Sequence, residues 1–256
     1  MNYLSLPLAV AFLFFVGATS GWLLEFAFRN LVSHKGPKGR YFINPGFCKG
    51  PWLPIYGVGI AVCCTISEIV YSYFDETFVE SAWGKVVIIL IMGLVMNCIE
   101  FTGGLILLKG FHMRLWDYRD RKWNFMGIVC PLFALIWTLI SAGYYLFIHR
   151  ISLYYLSWFS KNLAFAFFVG LFWGFFILDM WSGFNDAGMV KKLADEMGVI
   201  IHYDDLKSLV QVKLMNANKK QHFFGQILYK GVSLENLLEG YIESMEDKIE
   251  RLKKRK

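Results

Sequence analysis

The chain has 256 residues and a formal net charge of +6, and 56% of its residues are hydrophobic and 18% aromatic. With a mean hydropathy of +0.44 it is too apolar for an ordinary soluble domain and reads as an all-α polytopic membrane protein. Its five cysteines, Cys48, Cys63, Cys64, Cys98 and Cys130, lie in or beside apolar segments with neither metal-ligand spacing nor an extracellular disulfide framework, and are read as packing residues.

In chain order, Leu4 to Phe28 is the first apolar run, about 37 Å long as a helix and so sufficient to span a bilayer with tilt. No basic residue precedes it, and it continues past the short apolar region of a signal peptide, so it is read as a spanning helix. Gly17 and Gly21 give it a small-residue step on which another helix could pack. Further spans are expected at about 51–74, 86–108, 127–149 and 162–181, making a five-span bundle over residues 1–182. Lys and Arg number five, one, five and two in the successive links, and thirteen after Ser182. That alternation follows the positive-inside rule, placing the N-terminus outside and residues 183–256 in the cytoplasm, with the protein in the cell membrane. In those residues Leu234, Leu237, Leu238, Tyr241, Ile242, Met245, Ile249 and Leu252 recur at helical spacing, so a cytoplasmic helical tail is expected. Asn185 and Ser233 are candidate N-caps and Gly198 a candidate stop.

Ionisable groups inside apolar spans are costly, so each is a functional candidate. Glu100 lies 14 residues into the third span, about 21 Å from its outer end. Asn97, three residues earlier, shares its helical face. Glu25 and Asp179 fall near the inner ends of the first and fifth spans. Glu25 has Arg29 four residues on, the spacing of a helix ion pair. Asp179, beside Trp181, is read as an interfacial carboxylate reaching for water. Glu68, beside Tyr71 and Tyr73, belongs to the outer interface and is assigned no function. Glu25, Asn97 and Glu100 are the expected substrate or ion site.

Two loops carry more fixed backbone than a linker needs. The first reads N44-P-G-F-C-K-G-P-W-L-P-I-Y-G57, and the second L115-W-D-Y-R-D-R-K-W-N-F-M-G127. Glycine and proline together specify one shape. In the second loop Asp117 can fix neighbouring basic side chains, and Asn124 can cap a helix beginning near Phe125. The two loops are expected to fold against each other over the inner mouth of the bundle.

On these motifs, together with G21-W-L-L-E25 and Glu100, the chain resembles the ABC-transporter type IV membrane family over roughly Phe14 to Ser182. The matching residues are Gly21, Trp22, Glu25, Asn44, Gly46, Phe47, Gly50, Pro51, Pro54, Tyr56, Gly57, Glu100, Trp116, Asp117, Tyr118, Asn124 and Gly127. Where family members commonly carry basic residues in the two loops, this chain has Pro45 and Ile128. The resemblance implies a permease-like protein.

Among functions, a permease-like subunit leads. The chain has no G-x-x-x-x-G-K-[ST] phosphate loop, so energy would come from a separate ATPase or another partner. A membrane enzyme acting on a lipid or isoprenoid head group is a second reading, with Glu25, Glu100 and Asp117 near Arg29, Arg114 and Arg119. It is disfavoured by the lack of a catalytic constellation. A non-catalytic lipid-sensing scaffold is the third. Expected partners are the lipid bilayer, a cytoplasmic ATPase subunit and a second copy of the chain. Nucleic acid is not among them, because the loop bias accounts for most of the basic residues. The sequence assigns no cofactor and identifies no metal.

Overall fold

The computed structural model describes residues 6–31 and 44–207. Among them the chain is helical with almost no strand, and five helices are long and apolar enough to cross a membrane. These are α1 (Leu6–Leu31), α2 (Pro54–Tyr73), α4 (Ala82–Phe111), the continuous pair α5 (Pro131–Gly143) and α6 (His149–Lys161), and α7 (Ala166–Met197). A short helix, α3 (Glu76–Glu80), joins α2 to α4. The helical pattern expected beyond residue 207 lies outside the described residues, as do Lys35, Lys38 and Arg40.

Local chemistry sets the boundaries. Pro54 and Pro131 open α2 and α5, each after an extended residue, where a missing N–H costs nothing. Ser81 caps α4, its hydroxyl accepting from Gly84 N at 3.0 Å. α4 closes at His112, which is left-handed at φ 51°.

The fourth span begins at Pro131 rather than at 127. Asn124 Oδ1 accepts from Gly127 N at 3.0 Å, so Asn124 closes a loop turn and caps no helix. At the far end a five-residue π-turn, Tyr144–Ile148, carries the helix onward to Lys161, through residues read from the sequence as a link. The fifth helix likewise continues through Asn185, the candidate cap, and stops where Gly198 turns left-handed at φ 63°.

The core forms where α1 meets α2. A Cβ on Gly17 would stand 2.8 Å from the Tyr56 carbonyl, and one on Gly57 would stand 2.9 Å from that of Phe14. The small-residue step therefore serves packing within the chain, bringing two backbones together as a side chain could not. Around this contact gather Phe12, Leu13, Cys63, Cys64, Met92, Met96, Trp137 and Phe159. On the outside, Leu90, Leu94, Leu135, Leu139, Phe167 and Leu178 are exposed, the surface lipid would cover.

After α4, the strand β1 (Met113–Arg114) pairs in parallel with β2 (Ile201–His202) beyond α7. This two-residue ladder ties the second loop to the segment that follows the last span.

Candidate functional site

Asn44 is the staple of the first loop. Its Nδ2 donates to the carbonyls of Cys48 (3.1 Å), Lys49 (2.7 Å) and Gly50 (3.3 Å), while its Oδ1 accepts from the Trp22 indole at 2.5 Å. Gly46 makes the turn at φ 81°, which a side chain would resist. Asp179 then fastens the loop to α7. It accepts from Lys49 N at 3.1 Å, Gly50 N at 2.8 Å and the Trp52 indole at 2.8 Å. The sequence reading of Asp179 as a carboxylate seeking water is thus corrected: three donors of the loop, two of them backbone, satisfy it instead. Nearby, Lys49 Nζ reaches Asp186 at 2.7 Å and Ser182 at 2.6 Å. Phe47 packs on Phe184 and Tyr203. Burial, with Asp179 beside it, pushes the Cys48 thiol up to about 12. Pro45, in the position where family members carry a basic residue, is fully buried.

Turns fold the second loop. Asn124 Nδ2 donates to Arg119 O at 3.2 Å and Arg121 O at 2.8 Å, and Tyr118 N donates to Gly127 O at 2.9 Å. Gly127 has φ 69°, and a Cβ there would meet Arg119, Arg114 and Asp117. Trp116 donates from its indole to Ile128 O at 2.8 Å. Asp117 accepts from Arg119 N at 3.0 Å and from its guanidinium at 2.6 Å. Burial pushes the Asp117 carboxyl up, but Arg119 and Arg114 outweigh it and hold the group below its ordinary value.

This loop delivers Tyr118 to the bundle. Its hydroxyl donates to Glu100 Oε1 at 3.0 Å, and its ring stacks on Phe133 with centroids 4.1 Å apart. Burial and the adjacent carboxylate push the Tyr118 phenol well up. Glu100 is only 3% exposed, and Trp137 of α5 lies against its carboxylate. Glu100 Oε2 has no hydrogen-bond partner among the described residues. Asn97, one turn away, spends its Nδ2 on Gly93 O at 2.7 Å and leaves Oδ1 buried and equally unpartnered. Two acceptors therefore stand open on one face of α4.

Glu25 approaches from α1. Its Oε2 accepts from the Tyr56 hydroxyl at 3.3 Å, and Oε1 accepts from Arg29 at 2.8 Å. The Tyr56 ring lies 5.9 Å from that of Trp137. Tyr56 thus stands between Glu25, whose carboxylate it bonds, and Trp137, which lies against Glu100.

The segment after α7 joins these parts. Arg29 pairs with Asp204 at 2.9 Å as well as with Glu25. Lys207 lies almost wholly buried over the Tyr203 ring and donates to Asn44 O at 2.9 Å and Gly46 O at 2.5 Å. Burial lowers its ammonium to about 8. Tyr203 donates to Phe47 O at 3.3 Å, and His202 faces Asp117 at 3.6 Å. His112, at the end of α4, pairs with Asp195 of α7. The two loops are therefore bridged by residues 201–207, a third element that the sequence reading did not include. Among the described residues no group of three His, Cys, Asp or Glu side chains could hold a metal ion.

The fold and site define a five-helix membrane protein whose one end is closed by two shaped loops around a buried carboxylate. The chain belongs to the family described as Putative ABC-transporter type IV, whose model matches residues 12–184, and it is a membrane protein of that ABC-transporter-related group. No curated protein and no solved structure matches it.

Proposed function

We propose that the chain is a permease-like subunit whose polar site, at the loop end of the bundle, takes a cation or another hydrogen-bond-donating group. The observation that carries this reading is Glu100, buried in a spanning helix with one oxygen held by Tyr118 and the other without a hydrogen-bond partner among the described residues. Structural carboxylates in apolar surroundings are saturated with donors, since each unmet acceptor costs about 1–3 kcal/mol. Here Asn97 Oδ1 adds a second acceptor without a partner among the described residues, and Arg29 is divided between Glu25 and Asp204.

Family membership supports transport in association with a separate ATPase subunit, and the two rigid loops with the 201–207 segment form the surface on which such a subunit would act. This end is assigned to the cytoplasm on the strength of its basic loops. The test is purification in mild detergent followed by ATP-hydrolysis measurements on whatever nucleotide-hydrolysing subunit accompanies the chain. Glu100→Gln keeps the side-chain shape and should leave the complex assembled while changing its turnover. Absence of any such subunit, or turnover unaffected by Glu100→Gln, would overturn the reading.

A further inference from the structure

At the end of the bundle away from the loops, a second buried titratable group lies outside the site described above. His149 is 4% exposed and sits immediately after the π-turn Tyr144–Ile148. Its backbone N–H bonds to the carbonyl of Tyr144, five residues back. In a regular helix residues five apart point about 140° away from each other. The wider turn brings Tyr144 and His149 onto one face, so that the Tyr144 hydroxyl meets His149 Nδ1 at 3.5 Å. The rings of Tyr71 and Tyr145 lie parallel to the imidazole within 12° and 17°, at centroid distances of 6.1 and 6.3 Å. The second ring nitrogen, Nε2, faces Glu68 Oε1 at 3.6 Å and has no hydrogen bond among the described residues.

This separation is informative. An Nε2–H donor aimed at a carboxylate would close to about 2.8 Å. At 3.6 Å no such hydrogen bond is made, and Nε2 faces Glu68 across a gap that a proton shared by the pair would close. Glu68, with its side chain 36% exposed, extends from the buried nitrogen to the surface.

We propose that His149 and Glu68 form a proton-binding site served from the side of the membrane opposite the loops. A proton from water passes by way of Glu68 to His149 Nε2, the ring becomes imidazolium, and its new N–H donates to Glu68 Oε1. The charge is compensated by that carboxylate and by the flanking tyrosine rings. Among the described residues, Tyr71 of α2 and Tyr144 and Tyr145 of the π-turn lie around the ring, with Cys64 of α2 beside Tyr144 and Glu80 of α3 beside Tyr71. Tyr71 bonds Glu80 at 3.2 Å, and Glu80 is itself neutralised by Lys85 at 2.9 Å. Among the described residues Glu68 is therefore the carboxylate that pairs with the ring. Closing the contact would draw α6 toward α2 at this end.

The test is the side-chain 15N spectrum of histidine-labelled protein in nanodiscs between about pH 5 and pH 8, the range in which imidazole exchanges its proton. The chain has five histidines, and the signal that vanishes in His149→Gln identifies the site. Its resonance should move from neutral to protonated across the range. In Glu68→Gln the ratio of protonated to neutral ring at about pH 6 should fall about tenfold or more, the effect of losing an opposite charge at this distance. Glu100→Gln should leave the titration unchanged, so the result stands apart from the fate of the loop-end site. A His149 signal that stays neutral throughout in the parent protein, or that titrates identically in Glu68→Gln, would overturn the proposal. Once His149→Gln has identified the signal, its titration in the parent protein decides even if Glu68→Gln does not fold.

Discussion

The Tyr118 hydroxyl, carried in by the second loop, bonds Glu100 Oε1 in the interior of α4 at 3.0 Å. A loop residue thus reaches a carboxylate inside a spanning helix, and the shape of the loop sets that contact. Tyr118→Phe removes the hydroxyl that donates to Oε1 and leaves that oxygen unmet. The expected cost is about 1–3 kcal/mol, read as a lower unfolding temperature in detergent. Adding Glu100→Gln to Tyr118→Phe should cost less than the sum of the two single changes, because both act on one bond. Strict additivity would show that the bond contributes nothing.

Asp179 joins α7 to the first loop through Lys49 N, Gly50 N and the Trp52 indole. Asp179→Ala strands all three donors, and tryptic cleavage after Lys49 should accelerate severalfold as the loop loosens. Asp179→Asn keeps one acceptor oxygen and should fall between parent and Ala. Equal cleavage of all three proteins would mean that the loop is held without Asp179.

Much of this was legible in the sequence and some was not, for physical reasons. Spans depend on local hydropathy, so all five were visible, and Glu100 stood out because charge is rare at that depth. The loops announced themselves through glycine and proline, whose backbone preferences are local. What escaped was set by partners distant in the chain. Lys207 looks like any lysine in an amphipathic stretch until Asn44 and Gly46 appear at its ammonium. Asp179 looks interfacial until the loop folds onto it. The π-turn leaves no period that a search for helical spacing would detect, so the junction at Tyr144–Ile148 and the burial of His149 were both missed.

Lys207 gives a pH dependence whose sign can be worked out. Burial lowers its ammonium to about 8 in the folded protein, against about 10.4 in an unfolded chain. Between those values the unfolded state binds more protons, so the stability contributed by this group rises with pH across the window from about 8 to about 10.4. Below about pH 8 the lysine is charged in both states, and the burial penalty applies in full. Lys207→Met removes the titration along with both carbonyl bonds. Unfolding temperatures of parent and variant should therefore diverge in favour of the parent as pH rises from about 7.5 to 9.5. A constant difference would mean that the ammonium reaches water in the folded protein.

The orientation of the bundle decides which compartment each site faces. Glu76, in the short helix between α2 and α4, and Arg121, in the second loop, are both exposed and lie in successive links of the chain. The link at 75–85 carries one basic residue and the link at 109–126 carries five, so the rule of positive loops places Glu76 outside and Arg121 inside. Of the chain's own thiols Cys98 is exposed, and Cys48, Cys63, Cys64 and Cys130 are buried. In a Cys98→Ala background, Glu76→Cys should react in intact cells with a membrane-impermeant maleimide, and Arg121→Cys should react only after permeabilisation. Labelling of Arg121→Cys in intact cells, with protection of Glu76→Cys, would invert the assignment. Glu100 would then face the outer compartment, and the proton site at His149 would draw from the cytoplasm.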